Sequence, residues 1–182
     1  MESAFAFIGQ FFTWLGAFVP RWCILDTTRG AIKYKYGQPV FCAPGKIHFY
    51  WPLVTEWDSY PMARQTDRLE TQTMETTDGV TFIVAGTITY SVTDLMALLT
   101  TTHHAAQAVI ELAASAMHDV CCDYQWTELQ QEQRKGTLKT KLKNEAQRQL
   151  RDYGVNVLKL QLTSLAKCRV HRVCQSIANE ET

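Results

Sequence analysis

Between residues 31 and 92, apolar and polar positions alternate, which is the pattern of β-strands with one buried face. The stretch 31–36 (AIKYKY) alternates strictly. A turn at 43–45 (APG) then leads into the short apolar stretch 47–51, which a proline closes. These patterns predict two strands near the start of the folded body.

The strongest strand pattern in the chain lies at 80–92, where every second residue is apolar or glycine. The stretch 69–76 (LETQTMET) precedes it, and the turn 77–79 (TDG) separates the two. Two strand-like stretches joined by an Asp-Gly turn predict an antiparallel hairpin.

After residue 92 the apolar spacing changes from every second position to every third or fourth, which is the period of an α-helix. We predict three helices, at 94–99, 104–121 and 128–153. Thr93 is placed to cap the first of them and Thr127 to cap the third, and Gly154 is placed to end the third.

The chain then returns to a strand pattern at 155–162 (VNVLKLQL), and Ser164 is placed to cap a last short helix. The order of elements is strands, helices, a strand and a helix. The sequence therefore predicts an α+β fold with antiparallel strands and helices.

An uncharged apolar stretch, 3–20, precedes the strands. As a helix its eighteen residues would span roughly 27 Å, slightly less than a hydrocarbon core of about 30 Å, so either one bilayer crossing or a shallow insertion fits. An alternative is a helix buried in the core or between subunits. The side chains that we expect to insert into the membrane are Phe11, Phe12, Trp14, Phe18 and Trp22.

The charges are balanced overall, with 18 Lys and Arg against 18 Asp and Glu, which gives no global basis for binding nucleic acid. They are not evenly distributed. Four basic residues follow the apolar stretch within fifteen positions, whereas only Glu2 precedes it. By the positive-inside rule, the body of the protein should lie on the cytoplasmic side of the membrane.

Six irregularly spaced cysteines, two of them adjacent, indicate reduced thiols rather than a disulfide framework. Cys23 directly follows the apolar stretch, where a thiol is a candidate for S-palmitoylation. The set Cys168, His171 and Cys174 resembles a zinc spacing, with further ligands available at 118–122, but its three side chains share one helix side only approximately. We therefore assign no metal site and no cofactor.

The predicted helix 128–153 is strongly basic, with Glu145 as the one acid among its cations. Seven cations crowd it: Arg134, Lys135, Lys139, Lys141, Lys143, Arg148 and Arg151. One interpretation is a solvated face. The other is a contact with lipid or a neighbouring subunit through Lys139, Lys141 and Lys143.

Several segments, in this order along roughly residues 24–166, resemble the stomatin/prohibitin family, also called SPFH or band-7 proteins. The segments are Arg29-Gly30 with the strand 31–36, Pro44-Gly45 through Pro52, 58–68, 77–94, and the helix 129–150 with 153–157. The resemblance implies an SPFH domain behind an N-terminal hydrophobic membrane segment.

On this resemblance we divide the chain into a membrane segment (1–23), a first, strand-rich SPFH subdomain (24–92), a second subdomain (93–164) and a short C-terminal helix and tail (165–182). Family members usually continue into a long coiled coil, whereas this sequence leaves room for only a short helix. The resemblance therefore implies a small ring or array rather than a cage.

No phosphate-binding loop, nucleophile-elbow serine or HExxH motif is present in the sequence, so we expect no enzyme. The expected function is a membrane-associated homo-oligomeric scaffold that organises a membrane microdomain or regulates a membrane protease or channel. An alternative is a shell-forming or ring-forming protein whose apolar segment is buried between subunits.

Overall fold

The computed structural model describes Gly16 and residues 19–168. Within them, eight strands form one two-stranded and two three-stranded sheets, and every pairing is antiparallel. The strands are β1 (Arg21–Ile24), β2 (Arg29–Lys35), β3 (Gln38–Cys42), β4 (Ile47–Tyr50), β5 (Thr55–Pro61), β6 (Gln65–Glu75), β7 (Thr81–Val92) and β8 (Val155–Lys167).

Four α-helices separate β7 from β8 in the chain. They are α1 (Leu95–Thr101), α2 (Ala105–Cys122), α3 (Trp126–Lys135) and α4 (Thr137–Leu150), and a 3-10 turn (Arg151–Tyr153) follows them. Antiparallel sheets with helices inserted between two neighbouring strands make the fold α+β, as the sequence predicts.

The first five strands build a small two-layer unit. The sheet β3-β2-β5 forms one layer, and the two-stranded ribbon β1-β4 forms the other. Trp57 of β5 lies between the layers, with its ring centroid 6.0 Å from that of His48 and 5.9 Å from that of Tyr50. Only three buried apolar residues, Leu25, Ala31 and Cys42, pack with it, so the interior of this unit is small.

The main core lies on the sheet β6-β7-β8. Every second side chain of β7 is buried, as its sequence pattern predicts, and helices α2 and α4 pack against the sheet and against each other. Helix α4 buries Leu138, Leu142, Ala146 and Leu150 on its inner side.

The two parts of the molecule meet where β2 passes α1. A Cβ atom on Gly30 would lie 2.5 Å from Met62 Sδ and 2.9 Å from Leu95 Cδ2, so a larger residue would have to displace the ends of these two side chains. Nearby, the hydroxyl of the buried Tyr90 donates a hydrogen bond to Asp67 Oδ2 at 2.9 Å and lies 3.4 Å from the hydroxyl of Tyr60. Burial raises the pKa of Tyr90 far above its ordinary value, so it remains a neutral donor.

Several details of the helix prediction were wrong. The helix expected at 128–153 is two helices, because Gly136 adopts a left-handed conformation (φ +79°) that interrupts it. The cap of α1 is Asp94 rather than Thr93, since Asp94 Oδ1 accepts a hydrogen bond from the amide of Ala97 at 3.1 Å. The residue before α3 is Gln125 rather than Thr127.

The predictions at the chain's last described strand also need correction. Ser164 caps no helix, because it lies within β8 and pairs with Ala85 of β7. Strand β8 continues to Lys167, five residues further than predicted. The helix predicted after it lies outside the described residues. Strands β1 and β3 were not predicted as separate elements at all.

Candidate functional site

Large apolar side chains are exposed in one part of the described chain only, between residues 19 and 54. Their exposed fractions range from 37% for Val54 to 76% for Tyr36. They are Val19, Trp22, Ile24, Tyr36, Val40, Phe41, Ile47, Phe49, Trp51, Leu53 and Val54. Solvated monomers rarely expose so many apolar side chains together, so this region is the candidate functional surface.

The outer face of the β1-β4 ribbon is the centre of this surface. The antiparallel register places Trp22 opposite Phe49 and Ile24 opposite Ile47. All four side chains are more than 60% exposed, and the rings of Trp22 and Phe49 meet edge to face at 6.4 Å. We call these four residues the ribbon face.

The ribbon face follows from strand alternation. In each strand of the ribbon, the residues between the exposed ones point the other way, towards the sheet β3-β2-β5. Cys23 and His48 form one such pair, and the His48 ring reaches Trp57 while its Nε2 lies 3.0 Å from the carbonyl oxygen of Ala43. The inner side of the ribbon is therefore packed, and its outer side carries apolar groups that no described residue covers.

A strained hairpin tip extends the apolar surface. Tyr36 and Gly37 form the two-residue turn between β2 and β3, and both have positive φ angles, 52° for Tyr36 and 79° for Gly37. Positive φ is uncommon for an aromatic residue and raises the energy of the turn. The turn thus holds an exposed tyrosine, with 76% of its surface accessible, at the edge of the apolar surface.

Two lysines of β2, Lys33 and Lys35, border the apolar surface. Lys33 Nζ donates a hydrogen bond to the carbonyl oxygen of Phe49 at 3.3 Å, and Lys35 Nζ lies 5.8 Å from the centroid of the Tyr36 ring. Neither lysine forms a salt bridge within the described part of the chain. The apolar surface therefore has cations beside it that no carboxylate of residues 19–168 pairs with.

Cys23, the predicted palmitoylation position, lies in β1 on the inner side of the ribbon. Its thiol is half-buried and contacts the carbonyl oxygen of Ile24 at 3.9 Å. Its acylation stays a prediction. Burial raises the pKa of the Cys121 thiol to about 12 and raises the pKa of Cys42 and Cys122, which disfavours thiolate chemistry at these three positions.

The basic helix of the sequence analysis is more neutralised than its sequence indicates. Glu132 of α3, which the sequence analysis did not pair with it, lies 3.6 Å from Lys141 Nζ and 3.8 Å from Lys135 Nζ. Lys141 also contacts the Tyr124 hydroxyl, and Arg148 is paired with Glu145. The interpretation that Glu145 alone opposes these cations was therefore wrong.

The three lysines proposed for a lipid or subunit contact do not act alike. Lys141 is tied to Glu132 and Tyr124, whereas Lys139 and Lys143 are exposed and have no ion-pair partner among residues 19–168. They lie one turn apart on the same side of α4. Whether this pair contacts lipid or a neighbouring subunit stays a prediction.

Four of the five predicted membrane-inserting residues, Phe11, Phe12, Trp14 and Phe18, lie outside the described residues. The fifth, Trp22, lies at the centre of the ribbon face. No helix within the described residues combines the length and the apolar character that a bilayer crossing requires.

Within the described residues, no three His, Cys, Asp or Glu side chains are grouped closely enough to hold a metal ion. Cys168 is described and half-buried, but His171 and Cys174 lie outside the described residues.

The comparison with known protein families matches residues 24–168 to the model of the SPFH domain / Band 7 family. The match covers most of the chain and all strands from β2 to β8. The chain belongs to the SPFH/Band 7 family. SPFH proteins are in general membrane-associated, non-enzymatic scaffolds. No curated protein matches this SPFH chain.

The sequence analysis missed most of the candidate surface of this SPFH protein. It identified Trp22 from its position after the apolar stretch, but not Ile24, Ile47 or Phe49. The alternation of apolar residues at 22 and 24 and again at 47 and 49 was a usable signal. It could not show which face was exposed, because that depends on β1 pairing with β4 across a separation of more than twenty residues.

Proposed function

We propose that this SPFH protein is a membrane-associated scaffold whose ribbon face rests in the apolar boundary of a bilayer. The observation that carries the proposal is the exposure of Trp22, Ile24, Ile47 and Phe49 on one face of the β1-β4 ribbon. Aromatic side chains suit the boundary between lipid and water, where an apolar ring meets a polar headgroup layer.

Continuity of the chain favours a bilayer as the occupant of this face. Strand β1 begins immediately after the uncharged apolar stretch 3–20, so the ribbon face continues an apolar sequence rather than forming an isolated patch. The cations Lys33 and Lys35 stand beside the face, where anionic headgroups would meet them. Membrane contact therefore combines the apolar stretch, the ribbon face and the hairpin tip of Tyr36.

The proposal includes lateral self-assembly of many copies into a ring or array on the cytoplasmic side, which would organise a membrane microdomain or regulate a membrane protease or channel. Weak contacts between copies add up when every copy is held on the same surface. The mass of the assembly extracted in mild detergent tests this part, because a monomer would overturn it.

Fluorescence quenching by lipids with brominated acyl chains tests the membrane contact in the full chain. Brominated vesicles should quench part of the tryptophan fluorescence, and Trp22→Phe or Trp51→Phe should each remove some of the quenched part. Trp126→Phe is the matched control, since Trp126 packs on Phe82 in the main core with ring centroids 5.9 Å apart. A vesicle-bound protein in which neither Trp22→Phe nor Trp51→Phe reduces the quenching would contradict the proposal.

The same preparation distinguishes the alternative, in which the ribbon face is buried between subunits of a shell or ring. A chain that stays soluble and assembled without lipid or detergent, with Trp22 shielded from soluble quenchers, would favour that alternative. A chain that assembles only on vesicles favours the scaffold on a membrane.

A further inference from the structure

A small cavity lies where the β1-β4 ribbon meets the sheet β3-β2-β5. Its volume is about 440 Å³, and it opens between the end of the ribbon and the start of β5. The walls combine lysines and aromatic rings: Lys33, Lys35, Tyr36, Phe49, Tyr50 and Trp51. No lining residue is acidic.

The two lysines enter this cavity from the same side of β2, because they lie two residues apart in the strand. Lys33 Nζ donates one hydrogen bond to the carbonyl oxygen of Phe49 at 3.3 Å. An ammonium group has three donors, so two remain for a ligand. No carboxylate among residues 19–168 forms a salt bridge with either lysine, so an anionic ligand would not compete with an internal ion pair.

The opposite face of the same sheet has the reverse character. There, a cavity of about 480 Å³ is lined by Tyr34 together with the acids Glu56 and Asp58. Because successive side chains of a strand point to opposite faces, Lys33 and Lys35 lie on the face towards the ribbon, and Glu56 and Asp58 lie on the face towards α1. The positive cavity is a local feature, because the chain as a whole carries no net charge.

We infer that the cavity between the ribbon and β2 binds the headgroup phosphate of an anionic phospholipid. The phosphate oxygens accept hydrogen bonds from Lys33 and Lys35, and the acyl chains run along Phe49 and Trp51 towards the ribbon face. Phe49 belongs both to the cavity wall and to the ribbon face, so headgroup and acyl chains meet one continuous surface. This inference rests on the proposed membrane contact and adds a lipid class to it.

The test measures partitioning of the full chain to vesicles at limiting lipid and about 0.15 M ionic strength, where surface charge still acts over roughly 8 Å. One set of vesicles is pure phosphatidylcholine, and the other contains about 30% phosphatidylserine to supply an anionic surface. The wild type should prefer the anionic vesicles. Lys33→Gln/Lys35→Gln should reduce that preference by roughly 25-fold, about fivefold for each lysine.

The matched control is Lys159→Gln/Lys167→Gln, which removes the same charge from two exposed lysines of β8 that form no salt bridge within the described residues. It should change the preference by less than about twofold if charge acts only near the membrane surface. Equal effects of the two double variants would overturn the site, because they would show a response to net charge alone. Unchanged preference in Lys33→Gln/Lys35→Gln would also overturn it.

A third arm identifies the source of the phosphate. Inorganic phosphate in the buffer should not displace the chain from the anionic vesicles if the site needs the lipid, and displacement that depends on Lys33 would reassign the site to free phosphate. Partitioning to pure phosphatidylcholine vesicles, which carry no net charge, measures the contribution of the ribbon face without that of the anionic surface. A chain that partitions to the anionic vesicles through the two lysines but gains nothing from Trp22 and Phe49 would refute the proposed function and keep the lysine site.

Discussion

Residues 65–167 and residues 19–54 use apolar side chains in different ways. The main core contains 24 buried residues, of which only Ile32 comes from the first five strands. Residues 19–54, by contrast, contain all eleven of the exposed large apolar residues in the described chain. Residues 19–54, the first region along the chain, therefore place their large apolar side chains on a surface, whereas residues 65–167 bury theirs in the core.

The two regions also differ in how far their charged side chains form ion pairs. In the helices, Glu132 and Glu145 neutralise three of the cations. In the first region, Lys33 and Lys35 have no ion-pair partner within the described residues. The helices therefore neutralise part of their own charge, whereas Lys33 and Lys35 lie beside an exposed apolar surface without a described carboxylate partner, a combination typical of contact surfaces.

The largest expected contrast is between two phenylalanines, Phe82 and Phe49. Phe82 is fully buried, so Phe82→Ala should lower the free energy of unfolding by about 3–5 kcal/mol. Phe49 is 63% exposed, so Phe49→Ala should change it by less than about 0.5 kcal/mol. Urea unfolding followed by circular dichroism measures both. A large loss in Phe49→Ala would mean that the ribbon face is packed inside the folded chain.

A second contrast compares two glycines with positive φ. At Gly154 (φ +67°) a Cβ atom would lie 2.5 Å from the carbonyl oxygen of Asp94, whereas at Gly37 (φ +79°) it would meet no atom within 4 Å. Gly154→Ala should therefore cost about 3 kcal/mol, from conformational strain and overlap with backbone. Gly37→Ala should cost about 1 kcal/mol, from strain alone. Equal losses of unfolding free energy would show that packing at Gly154 adds nothing.

The third prediction separates stability from membrane contact at Tyr36. Asparagine tolerates a positive φ better than tyrosine, so Tyr36→Asn should raise the free energy of unfolding by about 0.5–1 kcal/mol. The same change removes an exposed ring, so vesicle partitioning should fall. Tyr36→Phe is the control, because it keeps both the ring and the strained turn and should alter neither quantity much. A less stable Tyr36→Asn variant would refute the idea that the turn is strained.

The sequence predicted those parts of the fold in which one pattern dominates a long element. The twelve-residue strand β7 was predicted because alternation over its whole length leaves no other interpretation. The break at Gly136 was missed, because residues of high helix propensity stand on both sides of it and a glycine costs a helix only about 1 kcal/mol. Strand β1 is four residues long, too short for its own pattern to identify it.

The candidate surface was less predictable, because exposure depends on distant pairing. In the sequence, Lys33 and Lys35 cannot be distinguished from other strand lysines. Their place beside the apolar surface depends on β4, which brings Phe49 next to Lys33. The pairing of Lys141 with Glu132 similarly joins two helices whose boundary the sequence analysis did not resolve. Local patterns therefore indicated which residues form strands and helices, but not which charges remain unpaired.

The smallest expected effect concerns these ion pairs. A hydrogen bond from the Thr137 hydroxyl, 2.6 Å from Glu132 Oε2, together with the nearby Lys141 and Lys135, lowers the pKa of Glu132 below its ordinary value of 4.5. Because the carboxylate form is favoured in the folded state, its contribution is present above pH 4.5 and is lost as the pH falls through the lowered pKa.

The fall in Tm between about pH 7 and about pH 3.5 should therefore be slightly smaller in Glu132→Gln than in the wild type. The difference is small because Glu132 lies at the surface, where water screens ion pairs. Lys35→Gln is the matched control from the other region, since Lys35 has no described ion-pair partner and its removal should leave the acid response unchanged. If Lys35→Gln reduces the fall in Tm as much as Glu132→Gln does, the charges of the two regions do not differ in the way proposed.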